Sequence, residues 1–584
     1  MPGSMVRATF ELALRPLRSL RDASGWLACI ASGCLVFLSY PNAGLWGLAF
    51  FALVPALRVA RRSSPSGAFG WGALTGTVTN LGGFYWITHL LTDFAAMPLP
   101  VAAAVLLLLA MQQGLSFAGG FALGRWLEER RGTPAVAAYP LGFVLAETLN
   151  PMIFPWALGH SQASHLWLAQ SAELGGATLI SGLLVAINVA LSDARRLRSE
   201  RPIRRQWAII AAVFVTLEVF GIWRVRSIDA RAAAAPRLEV GVIEANIGVR
   251  EKHNSRLLLN NNLIHQRMSA EVVSRGADLV VWPETMFSSR RVFQTPDDAT
   301  SLEAARSAAR VRPGLDRDAA WLPRSEAPLV EDVSEDARLG TPLADRAVPQ
   351  RGFRAPLLTG VVTSRPLTAE EARVEPPGAG DEQVYNSAVL LDADGRVLGL
   401  ADKNYLMPFS ENLEIGRWIY KATGVDVFDW IQGLGDFAAG TEASVLELPR
   451  QGAAGARIGV MICYEDILPQ FARRLARSAP NLLINVTNDA WFGKTSEPWL
   501  HLDLARFRSI EMRTALIRST NTGVSALIDP VGRVVDQTSL DDAETLLLDV
   551  PLMTATRGPY MWLGEWPALV SILLLGWYWR RRAA

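Results

Sequence analysis

Ile458-Gly459-Val460-Met461-Ile462-Cys463-Tyr464-Glu465-Asp466 is an apolar run that ends on a thiol and two acids. Five consecutive apolar or small residues read as a strand buried on both faces, and a helix is expected from Ile467 to Ser478. In α/β folds the turn after such a strand is where chemistry is placed. Backbone N–H groups and the positive helix end at that turn would lower the thiol pKa and stabilise an oxyanion. A free cysteine is ordinarily an inert core residue. The chain has three, and Cys29 and Cys34 share one apolar segment, so no disulfide framework exists and Cys463 is alone in its region.

Working outward, the texture from Pro236 onward is that of an α/β domain. Strands are expected at Leu238–Ala245, Asp278–Trp282, Leu357–Thr363, Ser387–Leu391, Arg457–Cys463, Asn481–Thr487, Ser525–Ile528 and Thr545–Val550. Helices are expected at Arg256–Ser274, Ile467–Ser478 and Leu500–Leu516. Asp392-Ala393-Asp394-Gly395-Arg396 and Asp529-Pro530-Val531-Gly532-Arg533 echo each other as hairpin turns with a late glycine. The stretch 293–355 is rich in Asp, Glu, Arg, Ala and Pro and reads as an inserted mobile loop, and Arg365–Gln383 reads similarly.

Two further motifs end an apolar run on an ionisable group. Val280-Val281-Trp282-Pro283-Glu284 stops a strand with proline and offers Glu284 at its end. Asp402-Lys403-Asn404-Tyr405-Leu406-Met407-Pro408-Phe409-Ser410-Glu411 carries one of only four lysines in the chain. Taken singly, Glu284 reads as a solvated loop acid and Lys403 as a snorkelling surface residue. Together with Cys463 they make a complete acyl-transfer set: a nucleophile, a proton acceptor and a cation for the developing oxyanion. The six histidines have no metal-ligand spacing, which argues against a metal site. Neither a phosphate loop nor a dinucleotide fingerprint is present, so no cofactor and no nucleic acid is expected.

The N-terminal part is different. Over the whole chain mean hydropathy is positive and only 19% of residues are charged, which is not the balance of a soluble enzyme. Apolar stretches near the spanning length of about 20 residues run at Gly25–Tyr40, Leu45–Val59, Gly67–Leu91, Leu99–Leu123, Ala135–Leu158, Leu166–Leu191 and Trp207–Trp223, with Met561–Trp579 closing the chain. Arginines crowd alternate ends: Arg15 to Arg21, Arg58 to Arg62, Arg125 to Arg131, Arg195 to Arg205 and Arg580 to Arg582. The loops between, such as Thr92–Pro98 and Gly159–His165, carry no Lys or Arg. By the positive-inside rule this sets a cytoplasmic start and an outward-facing α/β domain. The expected division is therefore a membrane domain of about seven spans at 1–224, a catalytic domain at 225–555 and a closing span with its tail at 556–584.

These segments resemble the nitrilase superfamily with its Glu-Lys-Cys triad, and within it the membrane-bound apolipoprotein N-acyltransferase family. The matching residues are Trp282-Pro283-Glu284, Lys403 to Glu411, Cys463-Tyr464-Glu465 and Asn485-Val486-Thr487-Asn488-Asp489-Ala490-Trp491-Phe492-Gly493, followed by Pro498-Trp499, His501, Arg506 and Arg518 to Gly523. The resemblance implies a multispanning helical membrane domain, about eight spans in all, joined to an αββα sandwich. It implies a protein of the bacterial inner membrane with its catalytic domain on the periplasmic side. Cys463 would take an acyl chain from a phospholipid donor as a thioester and pass it to the α-amino group of a diacylglyceryl apolipoprotein acceptor. Glu284 would move the proton, Lys403 would stabilise the tetrahedral intermediates, and Glu411, Tyr464, Glu465, Asn488 and Trp491 would support the site or bind substrate. Departures from the family pattern fall at Glu244-Ala245 (usually Gln-Gly), His253, Ala401, Ser410 and Arg513-Thr514. The residues alone leave open a membrane-tethered amidase, in which water replaces the amine, and an idle lipoprotein-binding scaffold.

Overall fold

The computed structural model describes residues 23–40, 43–196, 200–252, 254, 256–287, 324–346, 348–366, 382–408, 411 and 437–580. They form two compact units, one of Met1–Ile228, Thr495–Glu511 and Arg557–Ala584, the other of Asp229–Lys494 and Met512–Thr556. The helix Glu497–Met512, expected within the α/β domain, groups almost wholly with the first unit.

The first unit is helical. Among the described residues three helices are long and apolar enough to cross a membrane: Leu99–Arg131, Ala172–Ser192 and Arg201–Ala233. Four more apolar helices, Ala23–Leu38, Trp46–Ala60, Ala135–Leu149 and Trp566–Tyr578, are shorter than a full span, and the last two are also shorter than the runs expected there. The expected runs are interrupted where the sequence breaks a helix. The run from Gly67 ends its helix at Gly83, the run from Ala135 ends at Leu149 before Pro151 and Pro155, and the run from Leu166 kinks at Gly175 and Gly176. Small residues let the helices approach closely, as suits packing without a hydrophobic driving force. A methyl group added at Gly72 would lie 2.5 Å from the Phe117 carbonyl oxygen, and one at Gly76 would lie 2.6 Å from that of Gly114. Helix Arg201–Ala233 leaves Ile209, Val213, Val215, Val219 and Trp223 exposed, an apolar surface that calls for a non-aqueous neighbour.

Among the described residues the second unit carries two six-stranded sheets. One has the order β12-β1-β2-β3-β4-β5 and the other β11-β10-β9-β8-β7-β6. In chain order these are β1 (Arg237–Glu244), β2 (Leu279–Val281), β3 (Leu357–Pro366), β4 (Glu382–Leu391), β5 (Val397–Asp402), β6 (Val445–Leu448), β7 (Ala456–Ile462), β8 (Leu482–Thr487), β9 (Leu516–Thr520), β10 (Ala526–Ile528), β11 (Val534–Gln537) and β12 (Glu544–Pro551). Strands β1, β2 and β3 are parallel in the first sheet, and β7, β8 and β9 in the second. Period-two patterning sends Leu238, Val240 and Val242 of β1, Ile458, Val460 and Ile462 of β7, and Leu482, Ile484 and Val486 of β8 into one shared core. Each such side chain contributes about 1.5–3 kcal/mol by leaving water. The other face of the first sheet packs Val280, Leu357, Val389 and Leu391 with Val272 of helix Leu258–Ser274. Both echoing turns close antiparallel hairpins, β4–β5 and β10–β11. In each the leading aspartate accepts the backbone N–H groups two and four residues on, and Gly395 and Gly532 take positive φ.

The inserted stretch corrects the sequence reading in its second half. Residues 324–346 and 348–355 are packed: Ser325 bridges Arg351, helix Val333–Arg338 forms, and Arg351 donates to both oxygens of Asp336 with each side chain only 1% exposed. Gln350 ties the segment to the sheet through the Ala355 and Asp392 carbonyls, both at 2.8 Å. A mobile loop was expected because few large apolar residues are present; buried ion pairing and hydrogen bonding to main chain do the work instead. The first half of the insertion, and most of the second polar stretch, lie outside the described residues.

Candidate active site

Glu284, Lys403 and Cys463 each follow the C-terminal end of a strand, β2, β5 and β7 respectively. Glu284 is buried, not solvated, because its turn is pressed against β3: Gly360 donates to the Pro283 carbonyl at 3.1 Å. A methyl at Gly360 would stand 2.3 Å from the Thr285 nitrogen and 2.6 Å from Glu284 Cα, so only glycine admits this approach. Lys403 is likewise buried and not snorkelling, at 1% exposure. Its Nζ lies 3.3 Å from Glu284 Oε1 and 2.8 and 2.7 Å from the two oxygens of Glu411. Burial opposes the charge on Lys403, but Cys463, Glu284 and Glu411 outweigh it and hold the ammonium well above its ordinary pKa.

Asn386, in the middle of β4, joins the two acids. Its Nδ2 donates to Glu284 Oε1 at 2.6 Å and to Glu411 Oε1 at 3.0 Å, while its main-chain carbonyl accepts from the main-chain N–H of Lys403 at 2.8 Å. Glu411 is anchored in turn by the Met407 N–H on its Oε2.

Cys463 occupies a left-handed conformation, φ 50°, at the start of a 3-10 turn, Cys463–Ile467, and keeps some accessible surface. Asn485 of β8 donates to its carbonyl at 3.0 Å. The expectation of a lowered thiol pKa is not met. Burial and the Glu284 carboxylate push the thiol well above its usual value, against Lys403 and a hydrogen bond with the Thr487 side chain. The physical reason is that a short 3-10 turn supplies little dipole, whereas two carboxylates lie within electrostatic reach. On this balance Cys463 holds its proton, so any attack by its sulfur would need a base.

Glu465 latches two motifs together. One oxygen accepts from the Ile462 N–H at 2.9 Å, the other from the N–H groups of Asn404 and Tyr405 at 2.6 and 3.1 Å. Burial raises its carboxyl to about 7 against these three donors. Arg518 of β9, fully buried, donates to Asp466 and Asp489 and so pins the turn after β7 to the turn after β8. Asn488 is turned inward as the cap of the turn Asp489–Phe492, its side-chain oxygen accepting from Ala490 and from Asn521. Trp491 stands on that turn, half-buried, and Tyr464 follows the thiol, also half-buried, with its phenol pKa raised by burial.

A partly buried thiol, a carboxylate and an ammonium so arranged suit attack on an acyl carbon. Residues 32–190 match the model of the apolipoprotein N-acyltransferase N-terminal domain, and residues 360–560 that of carbon-nitrogen hydrolases. The apolipoprotein N-acyltransferase of Azotobacter vinelandii is 31% identical over 96% of each chain, and that of Geobacter metallireducens 30% identical over 88% of this chain and 87% of its own. The chain belongs to the apolipoprotein N-acyltransferase family. Among solved structures, the nitrilase-superfamily protein Nit3 of Saccharomyces cerevisiae is 15% identical, with 54% of this chain and 90% of that one covered and a TM-score of 0.30.

Within the family pattern, the departures have visible consequences. Glu244, in place of the usual glutamine, is fully buried at the end of β1, and burial raises its carboxyl to about 8 although Thr520, Ser525 and Thr538 all donate to its Oε2. Arg513 takes φ 56°, the conformation that the usual glycine adopts freely. Ala401 faces the shared core between the sheets. His253 and Ser410 lie outside the described residues. Asn386 and Lys252 were not singled out as site residues by the sequence; the scarcity of lysine was the one signal for the latter.

Proposed function

We propose that this protein transfers an acyl chain from a phospholipid, through a thioester on Cys463, to the α-amino group of an N-terminal diacylglyceryl cysteine of a lipoprotein. The observation that carries the reading is the buried cluster in which the Lys403 ammonium meets the Glu284 carboxylate within electrostatic reach of the Cys463 thiol. Glu284 takes the Sγ proton as the sulfur attacks the ester carbonyl. The oxyanion forms beside Lys403, and collapse expels the lysophospholipid oxygen, which receives the proton from Glu284. In the second half the lipoprotein amine attacks the thioester, Glu284 takes one N–H proton, and the amide forms as the proton returns to the departing sulfur. Asn386 and Glu411 hold Glu284 and Lys403 in place.

The membrane context is part of the proposal. We take the helical unit to cross a bacterial inner membrane about eight times, with the arginine-rich ends in the cytoplasm and the two-sheet unit on the periplasmic side. The exposed apolar side chains of helix Arg201–Ala233 support this reading. Both substrates are lipids whose reactive ends lie at the membrane surface, which fits a membrane-bound catalyst. The test is purified protein in vesicles of acyl-labelled phospholipid. Label should appear on Cys463 and move to a lipopeptide with a free N-terminal diacylglyceryl cysteine. Label cleared by water alone, with no lipopeptide product, would contradict the transferase reading and favour an amidase.

A further inference from the structure

Lys252 ends the short helical turn Val249–Lys252 that follows β1. Its Nζ donates to the Glu284 carbonyl at 3.1 Å and to the Thr285 hydroxyl. Thr285 itself takes φ 52°, a strained conformation for a β-branched residue, directly after the acid. The turn is thus gripped from two sides, at the Pro283 carbonyl by Gly360 and at Glu284–Thr285 by Lys252. The lysine is also coupled electrostatically to both the Glu284 carboxylate and Cys463.

We propose that Lys252 is a positioning residue for the acyl transfer: its ammonium holds the strained turn from which Glu284 reaches Lys403 and Asn386, and gives a carboxylate-rich cluster its second positive charge. This rests on the reading of the site given above. A neutral side chain of similar length would leave the Glu284 carbonyl and Thr285 hydroxyl without their partner and release the turn. A guanidinium would keep the charge and the donors.

Burial lowers the Lys252 ammonium to about 8, against Glu284 and Cys463, which raise it. Facing it from other elements are Glu284, Cys463 and, on helix Leu258–Ser274, His265, with Glu251 on its own turn and Lys403 and Glu411 beyond Glu284. His265 is pulled down to about 4, first by burial, and stays neutral at pH 7–10; Lys403 stays charged there. Lys252 is accordingly the group that loses its charge in that range.

The experiment compares wild type, Lys252→Met and Lys252→Arg for thioester formation on Cys463 from labelled phospholipid, across pH 6 to 10, with gel filtration and thermal melting in detergent as folding controls. Lys252→Met should slow the step about 10- to 100-fold, as misplacing a reacting group does, with little change in the lipid concentration for half-saturation. Wild type should lose rate as pH rises through about 8, and Lys252→Arg, whose charge does not titrate, should recover most of the rate and keep it at high pH. The proposal is overturned if folded Lys252→Met matches wild type, or if Lys252→Arg leaves the alkaline fall unmoved. Should Lys252→Met not fold, the Lys252→Arg profile decides alone. Absence of any wild-type adduct would instead refute the thioester reading itself, and the role of Lys252 with it.

Discussion

Glu244→Gln is expected to stabilise the protein, and increasingly so as the pH rises. Glu244 is fully buried, its Oε2 accepts three hydrogen bonds, and its Oε1 has no hydrogen-bond partner among the described residues. Burial raises the carboxyl from an ordinary 4.5 to about 8. A carboxyl whose pKa is raised by folding binds its proton more tightly in the native state, so stability is fully present below the unfolded pKa and declines as pH climbs through the folded one. At about 1.4 kcal/mol per pH step, the loss is about 3 kcal/mol at pH 7 and levels off near 5 kcal/mol above pH 8. Glutamine presents the same acceptor to Thr520, Ser525 and Thr538 and cannot ionise, so it mimics the protonated acid at every pH. Melting of the purified protein in detergent from pH 5 to 9 should show the two proteins together at low pH and Glu244→Gln pulling ahead towards pH 8. A constant gap, or a variant less stable throughout, would refute the argument that Glu244 is held protonated.

Other expectations follow from the same geometry. Cys463→Ser should lower turnover by orders of magnitude, because an alcohol ionises far less readily than a thiol that already needs a base; assay of labelled lipopeptide product checks it. Gly360→Ala should displace the Glu284 turn, since the added methyl would meet main chain at 2.3 Å, and cost about 1–3 kcal/mol of stability together with most activity; melting and turnover measured side by side would show this. Glu465→Gln replaces one acceptor with a donor facing a buried N–H, costing about 1–3 kcal/mol at the latch between the Cys463 and Lys403 turns; turnover should fall while lipid binding changes little. Arg351→Met strands the buried Asp336 carboxylate, a loss of about 3–5 kcal/mol, and should open residues 324–355 to protease, whereas the double variant Arg351→Met with Asp336→Leu should restore part of the resistance.

The triad candidates were legible because each ends an apolar strand, and strand ends are read from sequence pattern without knowing the sheet. Their cooperating groups were not. Asn386 lies mid-strand and looks like an interruption of an apolar run until β4 pairs with β5 and brings it between Glu284 and Glu411. Lys252 meets Glu284 only because the turn after β1 folds back beside the parallel strand β2. The direction of the Cys463 shift was misread because a strand-to-helix turn suggests a helix dipole, while the carboxylates that oppose it come from distant segments. The packed half of the insertion escaped for a similar reason: Arg351 and Asp336 look like surface charges until they are seen buried against each other. In the helical unit, hydropathy located the apolar runs but not the breaks at Gly83, Leu149 and Gly175–Gly176 that shorten the helices within them.

The central claim is that Cys463 carries the acyl chain. Intact-protein and peptide mass spectrometry after incubation with a phospholipid of defined acyl chains tests it most directly. The expected result is a mass increase of one acyl group on the Cys463 peptide, sensitive to hydroxylamine, absent in Cys463→Ala and strongly reduced in Glu284→Gln, and discharged when a diacylglyceryl lipopeptide is added. An unmodified Cys463 peptide in a preparation that still acylates the lipopeptide would contradict the account.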